Sequence, residues 1–216
     1  MKLTQFSARG VLFDWDGTLL NSYAADVRAY LSMFRALEIK WTEREVNLHY
    51  SPNWYRVYRA ALIPRSKWIE ANRLWTQAYK LERPRLLPGA RRVTHTLAAE
   101  FDLGIVTSGN RARVRRQLRG FGLADYFSAC VCNEDAAKKK PHPAPLQLAL
   151  KRLRLPPEQC VYVGDTAEDI EMARRAGVRV IGVLGPFPTA ARLREAKPEI
   201  LLDSIRELPR HLRVAD

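Results

Sequence analysis

The sequence has little that would tie it to a membrane, an oxidising compartment or a thiolate metal site. It has three cysteines, Cys130, Cys132 and Cys160, which cannot all pair and show no Cys-x-x-Cys spacing. We therefore expect reduced, mostly buried thiols rather than disulfides or a zinc site. No apolar run approaches the ~20 residues that span a bilayer, and the first residues lack the apolar segment of a secretory signal. These features predict a cytoplasmic protein with no membrane partner.

Acidic residues are scarce relative to basic ones. There are 23 Asp and Glu against 36 Lys and Arg, so the formal net charge is +13. Such a balance favours anionic ligands, among them phosphorylated metabolites, acidic lipids and nucleic acid. The arginines, however, recur at helical spacing, as in RARVRRQLRG at residues 111–120, and no basic loop interleaved with aromatic residues is present. We interpret these arginines as a solvated helix face, which argues against nucleic acid as a partner.

Short apolar segments alternate with helical segments along most of the chain. The predicted strands cover residues 10–16, 101–110, 126–132, 160–165 and 178–184. The predicted helices between them cover residues 111–120, 143–153 and 167–176. Nearly continuous apolarity is typical of strands that are buried on both faces of a parallel sheet. The alternation therefore predicts an α/β fold with a doubly wound parallel sheet.

Residues 21–87 differ from the rest of the chain. They contain no convincing strand, and they hold four of the five tryptophans: Trp41, Trp54, Trp68 and Trp75. Apolar residues recur here at spacings of three and four, which predicts an all-helical unit. Prolines and a glycine at residues 83–92 mark its end. The predicted organisation is an α/β core domain of residues 1–20 and 88–216, with an inserted helical domain of residues 21–87.

Polar side chains follow the predicted strands at the sheet edge where doubly wound folds bind ligands. The candidate functional residues are Asp14, Asp16, Thr107, Ser108, Lys140, Asp165 and Asp169. Asp14 and Asp16 end the first strand, and Asp165 ends the fourth. Asp169 lies four residues later, at the opening of the next helix, so its side chain faces back toward the same point.

Four carboxylates at one point require a cation. At separations of ~4 Å each like-charge pair costs several kcal/mol at an intermediate dielectric, and Lys140 supplies only one positive charge. An all-oxygen set of ligands suits Mg²⁺, whereas no histidine or thiolate is placed to indicate zinc. The sequence therefore predicts a magnesium site formed by Asp14, Asp16, Asp165 and Asp169.

Four segments together resemble the motifs of the haloacid dehalogenase-like hydrolase superfamily. They are DWDGTLLNS, IVTSGN, KKKPHPAP and GDTAEDI, which start at residues 14, 105, 138 and 164. The match runs over essentially the whole chain, and the tail PEILLDSIRELPRHL is similar to that of the phosphoglycolate-phosphatase-like branch. The resemblance implies a Rossmann-like core, a helical cap formed by the insertion, and a Mg²⁺-dependent phosphatase acting on a small phosphorylated metabolite.

The resemblance also implies roles for the two acids of the first motif. Asp14 would be the nucleophile that forms an aspartyl phosphate, and Asp16 the general acid and base, with its backbone carbonyl on the metal. True dehalogenases lack an aspartate at the position of Asp16 because a halide needs no proton, so its presence favours phosphate esters. Trp15 between them points away from both acids by alternation, into packing.

The remaining motifs supply the phosphate and metal ligands that the resemblance implies. Thr107 and the main chain of Ser108 would bind the transferred phosphoryl group, and Lys140 would neutralise its charge. Asp165 would ligate Mg²⁺ directly, and Asp169 would act through water or by orienting Lys140. Another carboxylate, that of Glu168, competes with Asp169 as a participant near the metal.

Several alternatives remain open at the level of the sequence. A phosphomutase of the same fold would carry a cap histidine where this chain has Asp26. A phosphonoacetaldehyde hydrolase would need a Schiff-base lysine in the cap, and no cap lysine stands in a recognisable context. A non-catalytic protein that binds nucleic acid or another anion is a third reading. The sequence does not name the substrate or the oligomeric state.

The cap residues that would contact a substrate are also open. Five cap arginines could bind a second anionic group: Arg44, Arg56, Arg59, Arg65 and Arg73. His49 and Tyr50 are candidates for a substrate-facing loop.

Overall fold

A parallel sheet forms the centre of the structure, a computed structural model that describes residues 4–215. The strands in this range are β1 (Phe6–Ala8), β2 (Gly10–Phe13), β3 (Leu20–Asn21), β4 (Arg85–Leu86), β5 (Asp102–Val106), β6 (Phe127–Val131), β7 (Cys160–Gly164), β8 (Arg179–Val183), β9 (Ile200–Leu202) and β10 (Leu212–Val214). The α-helices are α1 (Tyr23–Ala36), α2 (Glu43–His49), α3 (Trp54–Ala60), α4 (Trp68–Tyr79), α5 (Ala90–Ala98), α6 (Arg111–Gly120), α7 (Ala144–Leu153), α8 (Ala167–Arg175) and α9 (Ala190–Glu195).

The central sheet has six strands in the order β6-β5-β2-β7-β8-β9, and every neighbouring pair is parallel. The strand order reverses direction at β2, which lies between β5 and β7. In doubly wound sheets the ligand binds at this reversal, beyond the carboxyl ends of the strands. The predicted fold class is confirmed, and the segments that follow β2, β5 and β7 are brought together.

All five predicted strands are present, and β2, β5 and β7 end before the candidate polar residues. Asp14, Thr107 and Asp165 directly follow the last residues of β2, β5 and β7, so the candidate side chains leave the sheet rather than pair within it. The predicted helix at residues 111–120 coincides with α6. The strand β9 and the pair β1–β10 have no signal in the sequence, because three residues are too few to show a period. The same holds for the two-residue strands β3 and β4 at the ends of the segment 21–87, which was predicted to contain no strand.

Alternating side chains of the central strands fill two apolar layers. Val11 and Phe13 of β2 pack on one face of the sheet, with residues of α5 and α6. Leu12 packs on the opposite face, with Tyr162 of β7 and residues of α7 and α8. All four residues of β2 are buried. Because these strands are fixed from both sides, the polar residues at their ends are held in place.

Helices α1 to α4 form the insertion, as predicted, and are joined to the core through the short antiparallel pair β3–β4. Their own apolar cluster includes Met33, Phe34, Val57 and Tyr58, with the four cap tryptophans packed against it. The exact residues at which the two domains divide stay a prediction.

The composition predicts reduced, buried cysteines and a protein without a membrane-spanning segment. The three cysteines are free, and Cys132 and Cys160 are buried, as predicted. Within residues 4–215, the helices include none with the length and apolarity that a bilayer crossing requires. The cytoplasmic location stays a prediction.

Candidate active site

Three buried carboxylates meet at the carboxyl edge of the sheet. Asp14, Asp165 and Asp169 each offer an oxygen, and these atoms lie within 4.8 Å of one another. Asp14 and Asp165 follow β2 and β7, while Asp169 lies in the first turn of α8. There the Asp169 carboxylate accepts from the Thr166 main-chain N–H, and Thr166 Oγ1 accepts from the Asp169 N–H. This capping box fixes the position of Asp169.

Lys140 bridges two of these carboxylates. Its Nζ donates to Asp14 Oδ1 at 2.6 Å and to Asp169 Oδ1 at 2.7 Å, and the side chain is 2% exposed. The Tyr162 hydroxyl lies 2.9 Å from Lys140 Nζ and 2.9 Å from Asp169 Oδ1. Tyr162 was not foreseen, because a tyrosine inside an apolar strand pattern indicates only packing.

Burial shifts the pKa values of the charged residues in this cluster. Burial raises the pKa of Asp14 to about 7, and the neighbouring Asp169 adds to the rise, while Lys140 opposes it. Burial and the nearby Asp14 raise the pKa of Asp165 well above its usual range. Burial opposes the charge of Lys140, but Asp14 and Asp169 together raise its pKa. The single positive charge of Lys140 therefore does not balance the three carboxylates, and a cation from outside the chain would be needed to do so.

The donor set fits a hard divalent cation. Asp165 Oδ1 accepts a hydrogen bond from Thr18 Oγ1 at 3.1 Å, but its buried Oδ2 has no hydrogen-bond partner among the described residues. A buried carboxylate oxygen without a partner is costly unless a cation reaches it. Oxygen atoms from Asp14, Asp165 and Asp169 are ligands that Mg²⁺ accepts.

Asp16 lies apart from that cluster. The Arg113 guanidinium donates to both of its carboxylate oxygens, through Nη1 to Oδ1 at 2.8 Å and through Nη2 to Oδ2 at 2.6 Å. Burial opposes ionisation of Asp16, but Arg113 outweighs it and lowers the pKa of the carboxyl below its usual value. The Asp16 side chain is therefore not a member of the three-carboxylate cluster, and a metal contact through its backbone carbonyl stays a prediction.

The interpretation of residues 111–120 as a purely solvated basic face is wrong for Arg113. Arg113, Val114 and Leu118 are the buried residues of α6. These three residues lie on one face of the helix. The helical period that turns the other arginines toward solvent therefore turns Arg113 toward the interior. Its guanidinium also lies 4.8 Å from the centre of the Tyr79 ring of α4.

Trp15 packs away from the acids, as expected from alternation. It is fully buried, and its Nε1 donates to Gln117 Oε1 at 3.0 Å. Arg113 Nη1 is 3.4 Å from the same Gln117 oxygen. The indole thus helps to position the helix that carries Arg113.

Thr107 and Ser108 line the same cavity as Asp14 and Asp16, with a volume of about 90 Å³. Thr107 is buried, and its Oγ1 accepts from the Gly109 N–H at 3.0 Å. Their placement agrees with a phosphate-binding loop, and their roles stay predictions.

The cap closes the other side of this cavity with aromatic side chains. They are Tyr30, Tyr50, Trp54, Tyr58 and Trp75. Tyr50 therefore lines the cavity, and its contact with substrate stays a prediction, whereas His49 stacks on Trp41 at 5.2 Å between ring centres. None of the five candidate cap arginines, all in the described part of the chain, lines the cavity.

Glu168 joins the cap to the core instead of joining the carboxylate cluster. Its Oε1 accepts from Ser51 Oγ at 3.0 Å and lies 3.3 Å from Arg56 Nη1. Both partners belong to the insertion, so Glu168 holds the cap over the cavity rather than serving beside Asp169.

Comparison with known proteins identifies the family. The model of the haloacid dehalogenase-like hydrolases matches residues 11–183. The chain belongs to this family. A phosphoglycolate phosphatase of Salmonella paratyphi A is 30% identical over 228 aligned positions, which cover 93% of this chain and 90% of that protein.

Solved structures of the haloacid dehalogenase-like fold agree over nearly the whole chain. CbbY from Rhodobacter sphaeroides, in complex with phosphate, has a TM-score of 0.80 and 27% identity, covering 93% of this chain and 96% of that one. A hydrolase from Pseudomonas syringae has a TM-score of 0.82 and 24% identity, covering 96% and 97%. The predicted enzyme class, a phosphatase of this family that hydrolyses phosphoric monoesters, is confirmed.

Proposed function

We propose that this chain is a Mg²⁺-dependent phosphatase that hydrolyses a small phosphorylated metabolite through an aspartyl-phosphate intermediate. The supporting observation is the position of Asp14. Its carboxylate borders the cavity, 2.6 Å from Lys140 Nζ and within 4.8 Å of ligand oxygens of Asp165 and Asp169. A carboxylate held beside positive charge and open to a cavity can attack phosphorus.

The proposed reaction has two steps. An Asp14 oxygen attacks the phosphorus atom, and the bond from phosphorus to the ester oxygen breaks. Asp16, which Arg113 keeps ionised, takes up the proton of the phosphate monoanion and passes it to the leaving alcohol. A water molecule then attacks the phosphorus of the aspartyl phosphate, and Asp16 accepts its proton as inorganic phosphate leaves. One carboxyl group thus serves as acid and then as base.

Charge on the transferred phosphoryl oxygens would be met by Lys140, Thr107 Oγ1 and the Ser108 main-chain N–H. When bound by Asp14, Asp165 and Asp169, with the Asp16 carbonyl, Mg²⁺ supplies positive charge to the phosphate. The cap residues over the cavity exclude bulk water while substrate is bound.

The nucleophile is tested with Asp14→Asn. Phosphate release from p-nitrophenyl phosphate with Mg²⁺ should fall by about 10³-fold or more, since a side chain that forms the covalent intermediate has no substitute. Asp203→Asn, an exposed site, is the matched control and should keep full activity. Rapid acid quenching with ³²P-labelled substrate should trap label on the parent chain and none on Asp14→Asn. Activity retained by Asp14→Asn would refute the assignment.

A further inference from the structure

Among residues 4–215, no lysine or arginine that lines the cavity has both terminal groups free to pair with a second anionic group of the substrate. Among the described residues, Arg113 is the only lysine or arginine that lines it. Both terminal nitrogens of Arg113 are bonded to Asp16, so its charge is already matched. A lysine or arginine free to pair would strengthen the recognition of a carboxylate or second phosphate on the leaving group.

Asp26 adds a carboxyl group to the same cavity. Burial raises its pKa well above the usual value, and a cation bound beside it would favour its ionised form. It lies on α1, is 8% exposed, and lines the cavity with the aromatic residues of the cap. Its Oδ1 is buried and has no hydrogen-bond partner among residues 4–215. A buried carboxyl oxygen without a partner is costly, so a ligand group that donates to it is favoured.

The aromatic residues that line the cavity with Asp26 form a surface suited to a cation. Tyr30 and Trp75 pack with ring centres 6.0 Å apart, and Trp54 and Tyr58 with centres 5.1 Å apart. Aromatic faces attract ammonium groups through the ring quadrupole, and rings combined with a carboxylate strengthen the attraction. For a carboxylate, the buried donors without a partner among the described lining residues are the neutral indole N–H of Trp75 and Nε of Arg113, whose terminal nitrogens already hold Asp16.

We infer that the leaving group of the substrate bears an ammonium group, so that the substrate is a phosphate monoester of a small amino alcohol. The inference rests on the proposed function and specifies its substrate class. Asp26 accepts from the ammonium group, the cap aromatics surround it, and the phosphate lies against Asp14.

This substrate class differs from phosphoglycolate, the substrate for which the Salmonella relative is named. Phosphoglycolate carries a carboxylate where the inferred substrate carries an ammonium group. In this chain that carboxylate would lie near Asp26 and Asp16, with only the paired Arg113 as compensation, and like charges in a buried site repel.

Three phosphates of nearly equal size test the inference: phosphoethanolamine, ethylene glycol monophosphate and phosphoglycolate, which place an ammonium, a hydroxyl or a carboxylate at the same point. With Mg²⁺, kcat/KM should fall in that order, with phosphoethanolamine ahead of phosphoglycolate by at least about 100-fold. A preference for phosphoglycolate, or for the neutral compound over phosphoethanolamine, would overturn the inference.

The Asp26→Asn variant assigns the preference to one residue. The ratio of kcat/KM for phosphoethanolamine to that for ethylene glycol monophosphate should collapse by about tenfold or more, and a ratio within one variant cancels any common loss of activity. Glu70→Gln, which removes an exposed negative charge from α4, should leave the ratio unchanged. An unchanged ratio in Asp26→Asn would overturn the role of Asp26.

Binding separates this inference from the proposed function. Titration calorimetry with Asp14→Asn should show tighter binding of phosphoethanolamine than of phosphoglycolate, whether or not the parent protein turns over. Absence of hydrolysis of every phosphate, including p-nitrophenyl phosphate, refutes the proposed function. Stronger binding of phosphoglycolate by Asp14→Asn refutes the ammonium preference alone.

Discussion

Arg113 holds both carboxylate oxygens of Asp16, at 2.8 Å and 2.6 Å, in an ion pair whose side chains are 9% and 15% exposed. The pair joins the first motif to α6. Because the guanidinium is a planar fork, it fixes the orientation of the carboxylate as well as its charge. The proposed acid and base is therefore held in one place before substrate binds.

Replacement of Arg113 by lysine should damage both stability and turnover. A lysine retains the charge but cannot form two parallel bonds, and Arg113→Leu leaves Asp16 buried without a partner at a cost of ~3–5 kcal/mol. We expect urea unfolding to show a small loss for Arg113→Lys and a large one for Arg113→Leu, and kcat to fall in both. Arg116→Lys, on the exposed face of the same helix, is the control and should stay within ~0.5 kcal/mol of the parent. Equal stability of Arg113→Leu and the parent would contradict this account.

Much of the site follows from the sequence because its residues stand at strand ends. The predicted positions of Asp14, Asp165 and Lys140 depend on a parallel sheet, which aligns the carboxyl ends of neighbouring strands. The structure brings these three side chains together in one buried group.

Other contributions depend on distance in three dimensions rather than on a local pattern. Arg113 is 97 residues from Asp16, and Tyr162 is 22 residues from Lys140. Neither residue type is unusual in its own segment, so a single sequence gives no signal for either contact. The cap shows this limit most clearly. The helical period predicts its helices, but it does not predict which helix faces line the cavity.

Asp26 should make stability depend on pH. Burial, with Asp16 nearby, raises its pKa well above the usual value, so the folded chain binds this proton more tightly than the unfolded chain. The contribution of Asp26 to the free energy of unfolding is therefore lost as the pH rises above about 4, the pKa of this carboxyl in the unfolded chain. The measurement is unfolding in urea without Mg²⁺ at pH 5 and at pH 8. The free energy of unfolding of Asp26→Asn minus that of the parent should be more positive at pH 8 than at pH 5. Asp203→Asn is the exposed control, and parallel pH profiles for Asp26→Asn and the parent would contradict the assignment.

Removal of divalent cations should lower thermal stability as well as activity. A ligand that binds only the folded chain contributes about 2.7 kcal/mol at 100 times its Kd, which corresponds to a rise in Tm on the order of 5–10 °C for a chain of this size. We expect that rise on addition of Mg²⁺ to EDTA-treated protein and its loss in Asp165→Asn. Asp125→Asn, an exposed site in the core domain, should keep the response. An equal Mg²⁺-induced rise in Asp165→Asn would place the metal elsewhere.

Gly17 should tolerate no side chain, because it lies against Asp165. Its φ is +89°, and a Cβ atom there would lie 2.2 Å from Asp165 Oδ2 and 2.8 Å from Phe187 Cδ2. An alanine is strained in this left-handed conformation by ~1–2 kcal/mol and also displaces the Asp165 carboxylate. Gly17→Ala should therefore lower the free energy of unfolding and abolish the Mg²⁺-induced rise in Tm.

Gly120→Ala is the matched control for Gly17→Ala. Gly120 ends α6, and a Cβ atom there would meet nothing within 4 Å. This substitution should stabilise the chain by ~0.5–1 kcal/mol, since alanine restricts the unfolded chain and favours the helix. Urea unfolding and thermal scans with and without Mg²⁺ measure both variants. A Gly17→Ala protein that kept the Mg²⁺ response would show that Asp165 can move aside without losing the ion, and the proposed role of Asp165 as a direct ligand would then fail.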